Sequence, residues 1–171
     1  AERAPELLAR YGGTISSEWL VPKSLQMYEE EPALFDEASY ILEVGDWITW
    51  QLTGVVRRNA SVAGYKACHQ PDLGGFPSPD LLEALSPGFS RLLPKLKGEL
   101  GYPGEAAGTL TPQWQRRLGL GPIPVGISNM DAQVAVLAAG IDRPGQLLLV
   151  MGTSVCDMLV AEELRAIAGI S

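Results

Sequence analysis

The feature that most constrains the fold is the alternation of short apolar runs with an apolar helix between residues 123 and 160. The run IPVGIS predicts a short buried strand, and NMDAQVAVLAAG after it predicts a helix. Two further runs, LLLVM and VCDMLV, flank the sequence Gly-Thr-Ser and predict two buried strands joined by a tight turn. Helices that alternate with short buried strands are typical of an α/β or α+β domain.

Helix-start and helix-stop residues organise the chain upstream of this region. In DWITWQLTG, Asp46 is suited to cap a helix that Gly54 ends, and Thr111 and Gly119 bracket the helix TPQWQRRLGLG in the same way. SPDLLEAL predicts a short helix, and EAAGTL a small strand. We expect a short strand at residues 40–43 and a loop-rich stretch at 55–77. Core packing is expected for the tryptophans, which are Trp19, Trp47, Trp50 and Trp114.

Composition excludes several classes of protein. With 46% hydrophobic and 19% charged residues, a chain of 171 residues can build one ordinary core. The net charge of −7 argues against a nucleic-acid partner, and no apolar run approaches the length of a membrane span. The two cysteines and single histidine, His69, give neither zinc spacing nor a disulfide framework. These features predict a cytoplasmic protein without a metal site made by its own residues.

Asp131 is the first candidate for chemistry. It stands where a buried strand gives way to an apolar helix, and ligand sites in α/β sheets favour the carboxyl ends of strands. A carboxylate there can accept a proton from a substrate hydroxyl while that oxygen attacks. The alternative is an N-capping aspartate that bonds free helix N–H groups, and the pattern alone leaves both interpretations open.

The turn MGTS and a single lysine are the other candidates. Gly152 lets an anion approach the backbone, and Thr153 and Ser154 add hydroxyl donors, although an ordinary hairpin turn has the same residues. Lys66, in the small-residue stretch ASVAGYKACH, could orient a polyol or ketone, although a solvated surface lysine is the commoner case.

Taken in order, six segments resemble one family. They are SSEWLVPK, GDWITWQLTG, SVAGYKACH with GGFPS, GTLTPQWQRRLGL, VGISNMDAQVAV and VMGTSVCDML. This collinear series, which covers nearly the whole chain, is similar to the FGGY carbohydrate kinases and within them to the ribulokinases. The helix with the D-W-x-x-x-x-L-T-G pattern and the Gly-Thr-Ser turn are general family marks. S-S-E-W, A-G-Y-K and the residues around Asp131 are typical of ribulokinases.

The resemblance implies an α/β fold of the ribonuclease H-like, actin-like ATPase type, with ATP and sugar meeting between two lobes. It implies that Asp131 is the catalytic base, that Lys66 and Asp131 contact the sugar, and that Gly152, Thr153 and Ser154 hold the ATP phosphates. The reaction would be ATP-dependent phosphorylation of a pentulose, foremost L-ribulose to L-ribulose 5-phosphate in arabinose catabolism, with Mg²⁺. Gln133 stands where ribulokinases often have His. This difference affects the prediction of the exact sugar substrate but not the prediction that Asp131 is the catalytic base.

The chain also departs from the family pattern. The Asp-x-Gly-Thr turn that holds phosphate and Mg²⁺ is absent, so we expect an internal piece, with residues 1–144 from the first lobe and 145–171 from the second. Such a piece is expected to be inactive alone and to expose sheet edges and apolar patches. Because of these exposed surfaces, we expect it to self-associate, for example as a homo-oligomer. The alternatives are another FGGY kinase such as a xylulokinase, a non-catalytic kinase-like binding domain, and an unrelated α/β protein with chance matches.

Overall fold

The computed structural model describes residues 4–153, 155–163, 165, 167 and 169. Within these residues, the α-helices are Pro5–Ala9 (α1), Leu20–Glu30 (α2), Pro32–Glu37 (α3), Val44–Thr53 (α4), Ala60–Lys66 (α5), Pro79–Leu85 (α6), Pro112–Leu118 (α7) and Asp131–Ala138 (α8). Two 3₁₀ segments, Pro71–Leu73 and Phe89–Leu96, complete the helical part.

The described strands pair in twos. They are Arg57–Asn59 (β1), Glu99–Gly101 (β2), Ala106–Thr109 (β3), Pro124–Gly126 (β4), Leu147–Met151 (β5) and Val155–Leu159 (β6). β1 lies parallel to β2, whereas β3 with β4 and β5 with β6 are antiparallel. The β5–β6 pair is a hairpin in which Met151 stands opposite Val155, so Gly152 and Thr153 lie in the connection between the two strands.

The main core lies where α2, α3, α6 and the Phe89–Leu96 segment meet. Phe35, Leu82 and Phe89 are fully buried there, and the rings of Phe35 and Phe89 lie 6.3 Å apart. Burial of each such side chain is worth about 1.5–3 kcal/mol relative to exposure. α4 contacts β1, β3 and β4, whose ends lead to the candidate site.

Most helix boundaries follow the predicted signals. Ser78 caps α6 by accepting a hydrogen bond from the Leu81 N–H at 3.2 Å, and Pro112 is the first residue of α7. Gly54 and Gly119 end α4 and α7 in the left-handed conformation, at φ of 73° and 68°. The predicted strands at EAAGTL and IPVGIS and the predicted C-terminal hairpin are present, but the strand in IPVGIS is not buried as predicted, since Pro124 and Gly126 are exposed and Val125 is half-buried.

Two local predictions are wrong. Residues 40–43 form no strand, because the Ile41 N–H donates to the Lys95 carbonyl and the Ile41 carbonyl accepts from the Arg58 guanidinium. The stretch from residue 55 to 77 is not loop-rich throughout, since it contains β1 and α5. Val62 and Gly64 give α5 a weak intrinsic helix propensity, and packing of Val62 and Ala63 supplies the missing stability.

The hairpin strands are also less buried than their apolar sequence predicts. Leu147, Leu149 and Leu159 are each at least half exposed, as is Met151. Trp47, expected in the core, is 49% exposed, whereas Trp19 is buried as predicted. The expected exposure of apolar strand surface is therefore observed. In the described part of the chain, no helix is both long and apolar enough to cross a membrane.

Candidate functional site

The first turn of α4 supplies a buried carboxylate rather than a helix cap. Glu43 holds the N-cap position, and Asp46 is the third helical residue, 3% exposed. Its Oδ1 accepts hydrogen bonds from the Asn59 N–H at 2.9 Å and from the Ser128 hydroxyl at 3.2 Å. Burial raises the pKa of Asp46, while these two hydrogen bonds act in the opposite direction. The predicted capping role of Asp46 is wrong, because two distant segments compete successfully for its carboxylate.

Asn59 joins two parts of the site. It ends β1, is completely buried, and caps α5 by accepting the Val62 N–H at 2.8 Å on Oδ1. Its Nδ2 donates to the Ser128 carbonyl and, at 2.8 Å, to Oδ1 of Asn129. Sequence reasoning missed this residue, although an asparagine directly before a run of small residues is a helix-cap signal that could have identified it.

Lys66 is the last residue of α5, not part of a loop. Its Nζ lies 3.7 Å from Oε2 of Glu43, and both side chains are partly shielded from solvent. Burial raises the pKa of Glu43, and the Lys66 cation works against that rise. Lys66 is therefore not a free surface lysine, because it is paired where α4 begins and α5 ends.

Asp131 is the first residue of α8 and is exposed. The N-cap position belongs to Met130, which makes no side-chain capping bond, and Asp131 Oδ1 accepts only the adjacent Ala132 N–H, at 2.8 Å, among the described residues. The capping alternative for Asp131 therefore fails, since an N-cap side chain bonds the N–H two or three residues further on. Its carboxylate remains accessible to a ligand.

The hairpin turn is exposed as well. Gly152 and Thr153 are both open to solvent, and α8 contacts β5 and β6 on either side of the turn. Ser154 lies outside the described residues, so its predicted role as a phosphate donor stays a prediction, as do those of Gly152 and Thr153.

A small pocket lies where the segments that contain SSEW and AGYK meet. It has a volume of about 340 Å³ and lies beside Tyr65, the neighbour of Lys66. The Trp19 and Tyr65 rings lie 4.6 Å apart, and the Tyr11 hydroxyl donates to the Gly64 carbonyl. The lining residues are Tyr11, Gly12, Thr14, Ser16, Trp19, Tyr65 and Gly169.

Other reactive side chains do not converge on these residues. Cys68 is buried, and burial raises its pKa to about 11, which makes its thiol a poor nucleophile. His69 packs edge-on against Phe76, and burial lowers its pKa. Over the residues that the structure describes, no group of three or more His, Cys, Asp or Glu side chains could hold a metal ion.

The geometry links the candidates indirectly. Asn59 caps the helix that ends in Lys66, and it also bonds the residues two and three positions before Asp131. In the described ranges, no hydrogen bond or ion pair joins Lys66, Asp131 and Thr153 directly. The arrangement places the accessible Asp131 carboxylate close along the chain to a hydrogen-bonded junction around buried Asp46 and Asn59, with Lys66 at the end of the helix that Asn59 caps.

Comparison with solved structures identifies the class of fold. The chain superimposes on the xylulose kinase of Rhodospirillum rubrum with a TM-score of 0.79, at 22% identity over 96% of this chain and 33% of the other. A ligand-bound xylulose kinase from Lactobacillus acidophilus gives a TM-score of 0.72, at 14% identity over 90% of this chain and 30% of the other. The chain therefore has the α/β fold of a segment of sugar kinases.

Sequence comparison narrows the class further. The chain is 46% identical to the ribulokinase of Shouchella clausii and 44% identical to that of Mycolicibacterium smegmatis, over 98% and 99% of its length. It spans 30% of the length of each of these relatives. No family model matches the chain. The predicted resemblance to FGGY carbohydrate kinases of the ribulokinase type is confirmed, since the chain is homologous to a segment of the ribulokinases.

Proposed function

We propose that this chain is part of an ATP-dependent pentulose kinase that converts L-ribulose to L-ribulose 5-phosphate in the cytoplasm. The observation that carries the proposal is the 46% identity to a ribulokinase over practically the whole chain, with Lys66 and Asp131 on neighbouring segments. Residues 1–144 belong to the first lobe in this proposal and residues 145–171 to the second, together forming part of an actin-like ATPase fold.

Asp131 acts as the general base in the proposed reaction. Its accessible carboxylate takes the proton of the terminal sugar hydroxyl while that oxygen attacks the γ-phosphorus of Mg-ATP. The bond from the γ-phosphorus to the β,γ-bridging oxygen breaks, and ADP leaves. Lys66 orients the sugar through its ammonium donors. Gly152, Thr153 and Ser154 hold the ATP phosphates through backbone and hydroxyl groups.

A substrate panel on the whole protein that carries this segment tests the proposal. With Mg-ATP, we expect the highest kcat/KM for L-ribulose among L-ribulose, D-ribulose and D-xylulose. A preference for D-xylulose would favour the second candidate function, that of a xylulokinase. The observation behind this candidate is the similarity in fold to the xylulose kinase of Rhodospirillum rubrum. Failure to phosphorylate any pentulose would overturn the proposed function in favour of a non-catalytic, kinase-like binding role.

The role of the base is tested in the same protein. Asp131→Asn is expected to lower kcat by roughly 10²–10⁴-fold while sugar affinity measured by calorimetry stays within about threefold. Asp142→Asn, which changes an exposed carboxylate paired only with Arg143 among the described residues, is the matched control. Near-normal turnover of Asp131→Asn would remove Asp131 from the mechanism.

Calorimetry on the isolated chain tests the expected inactivity of the segment. We expect no turnover with L-ribulose and Mg-ATP together, because the Asp-x-Gly-Thr turn is absent. Heat of binding with L-ribulose and none with Mg-ATP is the expected pattern for a half-site that contains Lys66 and Asp131. Turnover by the isolated chain would show that this segment contains a complete site.

A further inference from the structure

Asn59 occupies every hydrogen-bonding group of its side chain with partners from two segments. Oδ1 accepts the Val62 N–H at 2.8 Å and so fixes the start of α5. Nδ2 donates to the Ser128 carbonyl and to Asn129 Oδ1. With 0% exposure and with partners for both its carbonyl and its amide group, this side chain favours one orientation, and it holds these two segments together.

The first turn of α4 also contacts both Asn59 and Ser128. Asp46 Oδ1 accepts both the Asn59 N–H at 2.9 Å and the Ser128 hydroxyl at 3.2 Å. Gly45 faces Ser128 so closely that a Cβ there would lie 2.8 Å from Ser128 Cβ, which is below van der Waals contact. Ser128 therefore has no room to shift toward α4 and is tied to β1 by hydrogen bonds.

We call the hydrogen-bonded group of Asp46, Asn59 and Ser128 the junction. It lies close along the chain to both residues of the proposed reaction. Asp131 follows Ser128 by three residues, and Lys66 ends the helix that Asn59 caps. Lys66 Nζ also lies 3.7 Å from Oε2 of Glu43, the N-cap residue of α4, so α4 and α5 share a second contact. Phosphoryl transfer depends on such positioning, because a displacement of about 1 Å can cost roughly 10²-fold in rate.

We infer that Asn59 is a positioning residue: it sets the place of the Asp131 carboxylate relative to the Lys66 helix. This inference rests on the proposed function. Asn59 itself does not touch substrate, since it is fully buried.

The first test is Asn59→Ser in the whole kinase. Serine keeps an oxygen that can cap α5, but its side chain is shorter and lacks the amide that reaches Ser128 and Asn129. We expect kcat to fall about tenfold or more while the KM values for sugar and Mg-ATP change less than about threefold. A purely structural role would lower the melting temperature and leave kcat of the folded enzyme unchanged.

Gly45→Ala is a second, independent variant in case the first fails to fold. It removes no hydrogen-bonding group and improves helix propensity, yet its methyl group must displace Ser128. We expect the same loss of kcat with near-constant KM. The matched control is Ser78→Ala, which removes the cap of α6 and leaves the 43–66 and 128–131 segments unchanged. It should lower the melting temperature without changing kcat.

Amide hydrogen exchange on this chain separates the inference from the proposed function. Asn59→Ser is expected to accelerate exchange at the hydrogen-bonded amides that flank the Ser128–Asp131 segment, those of Ile127 and Val134, and Ser78→Ala is not. Faster exchange at these two amides would uphold the junction even if the whole protein phosphorylates no pentulose, a result that would overturn only the proposed function. Unchanged kcat in both Asn59→Ser and Gly45→Ala, in an active kinase, would overturn the positioning role of Asn59.

Discussion

At the scale of single residues, the partners of a polar side chain decide its role. Asp46 carries the sequence signal of a helix cap, yet its carboxylate bonds Asn59 and Ser128, which are 13 and 82 positions away along the chain. Arg58 likewise bonds residues that are distant along the chain, since its buried guanidinium donates to the carbonyls of Ile41, Lys95 and Lys97. None of these pairings has a local sequence signature.

Asp46 should make the stability of the chain depend on pH. Because burial raises its folded-state pKa, the folded chain keeps a proton that the unfolded chain has already lost, so this contribution to stability falls as pH rises through that window. Asp46→Asn keeps an acceptor oxygen and carries no charge. We expect the unfolding free energy of the variant minus that of the original chain to grow as pH rises above about 4, by at most about 1.4 kcal/mol per pH unit.

Urea denaturation of both chains at matched pH values between 3 and 7 measures this difference. The comparison at each pH cancels the titration of every group that the two chains share. A difference that stays constant, or that shrinks as pH rises, would contradict the assignment of Asp46 as a carboxyl with a raised pKa.

At the scale of elements, the ends of helices follow their local residues closely. Ser78, Gly54 and Gly119 all do what the sequence indicates, because caps and left-handed glycines depend on neighbours within one turn. The interior of an element is less predictable. α5 forms from residues of weak helix propensity because Asn59 caps it and buried Val62 and Ala63 hold it.

Gly119 and Gly121 form a matched pair for testing the end of α7. A Cβ at either position would meet no atom within 4 Å, but only Gly119 has a left-handed backbone, at φ +68°. We expect Gly119→Ala to lower the unfolding free energy by about 1–2 kcal/mol. Gly121→Ala should be neutral or stabilise by up to about 1 kcal/mol. Equal losses in urea denaturation would rule out backbone strain as the cause.

The β5–β6 turn gives a functional prediction at the same scale. In the whole kinase, Thr153→Val removes a hydroxyl donor with little change in shape, and we expect KM for Mg-ATP to rise about tenfold while KM for the sugar stays within about twofold. Steady-state kinetics with each substrate varied in turn measures the two values. Thr111→Val, at the start of α7, is the isosteric control. Equal changes for ATP and sugar would indicate a packing defect instead of a phosphate contact.

At the scale of the whole molecule, the described strands form separate two-stranded sheets and leave apolar surface uncovered. On the hairpin, Leu147, Leu149, Met151, Val155 and Leu159 are at least half exposed. Because side chains alternate along a strand, Leu147, Leu149 and Met151 lie on one face of β5. Their partners on β6 are apolar except Asp157, which stands opposite Leu149. An apolar strand surface of this kind favours association with other chains.

We therefore expect the purified chain to self-associate with rising concentration. The paired change Leu147→Lys with Leu159→Glu replaces two residues that stand opposite each other with an attractive charge pair, so the hairpin is retained while its apolar face is interrupted. Sedimentation velocity should show less association for this variant, with unchanged circular dichroism. Leu118→Lys, at a half-exposed site on α7, is the control. Identical association of all three chains would exclude the hairpin as the contact surface.

The sequence by itself determined the family resemblance, most helix ends, the order of the C-terminal strand, helix and hairpin, and the position of Asp131 at the start of a helix. These features depend on residues close together in the chain, where caps, glycines and periodic apolar residues act locally. Only the tertiary structure decided that Asp46 is buried, that Lys66 ends a helix beside Glu43, and that residues 40–43 remain outside any sheet. It also identified Asn59 as the junction between segments. These features depend on partners many positions away, because a buried polar group takes whichever partner the fold brings within hydrogen-bonding distance.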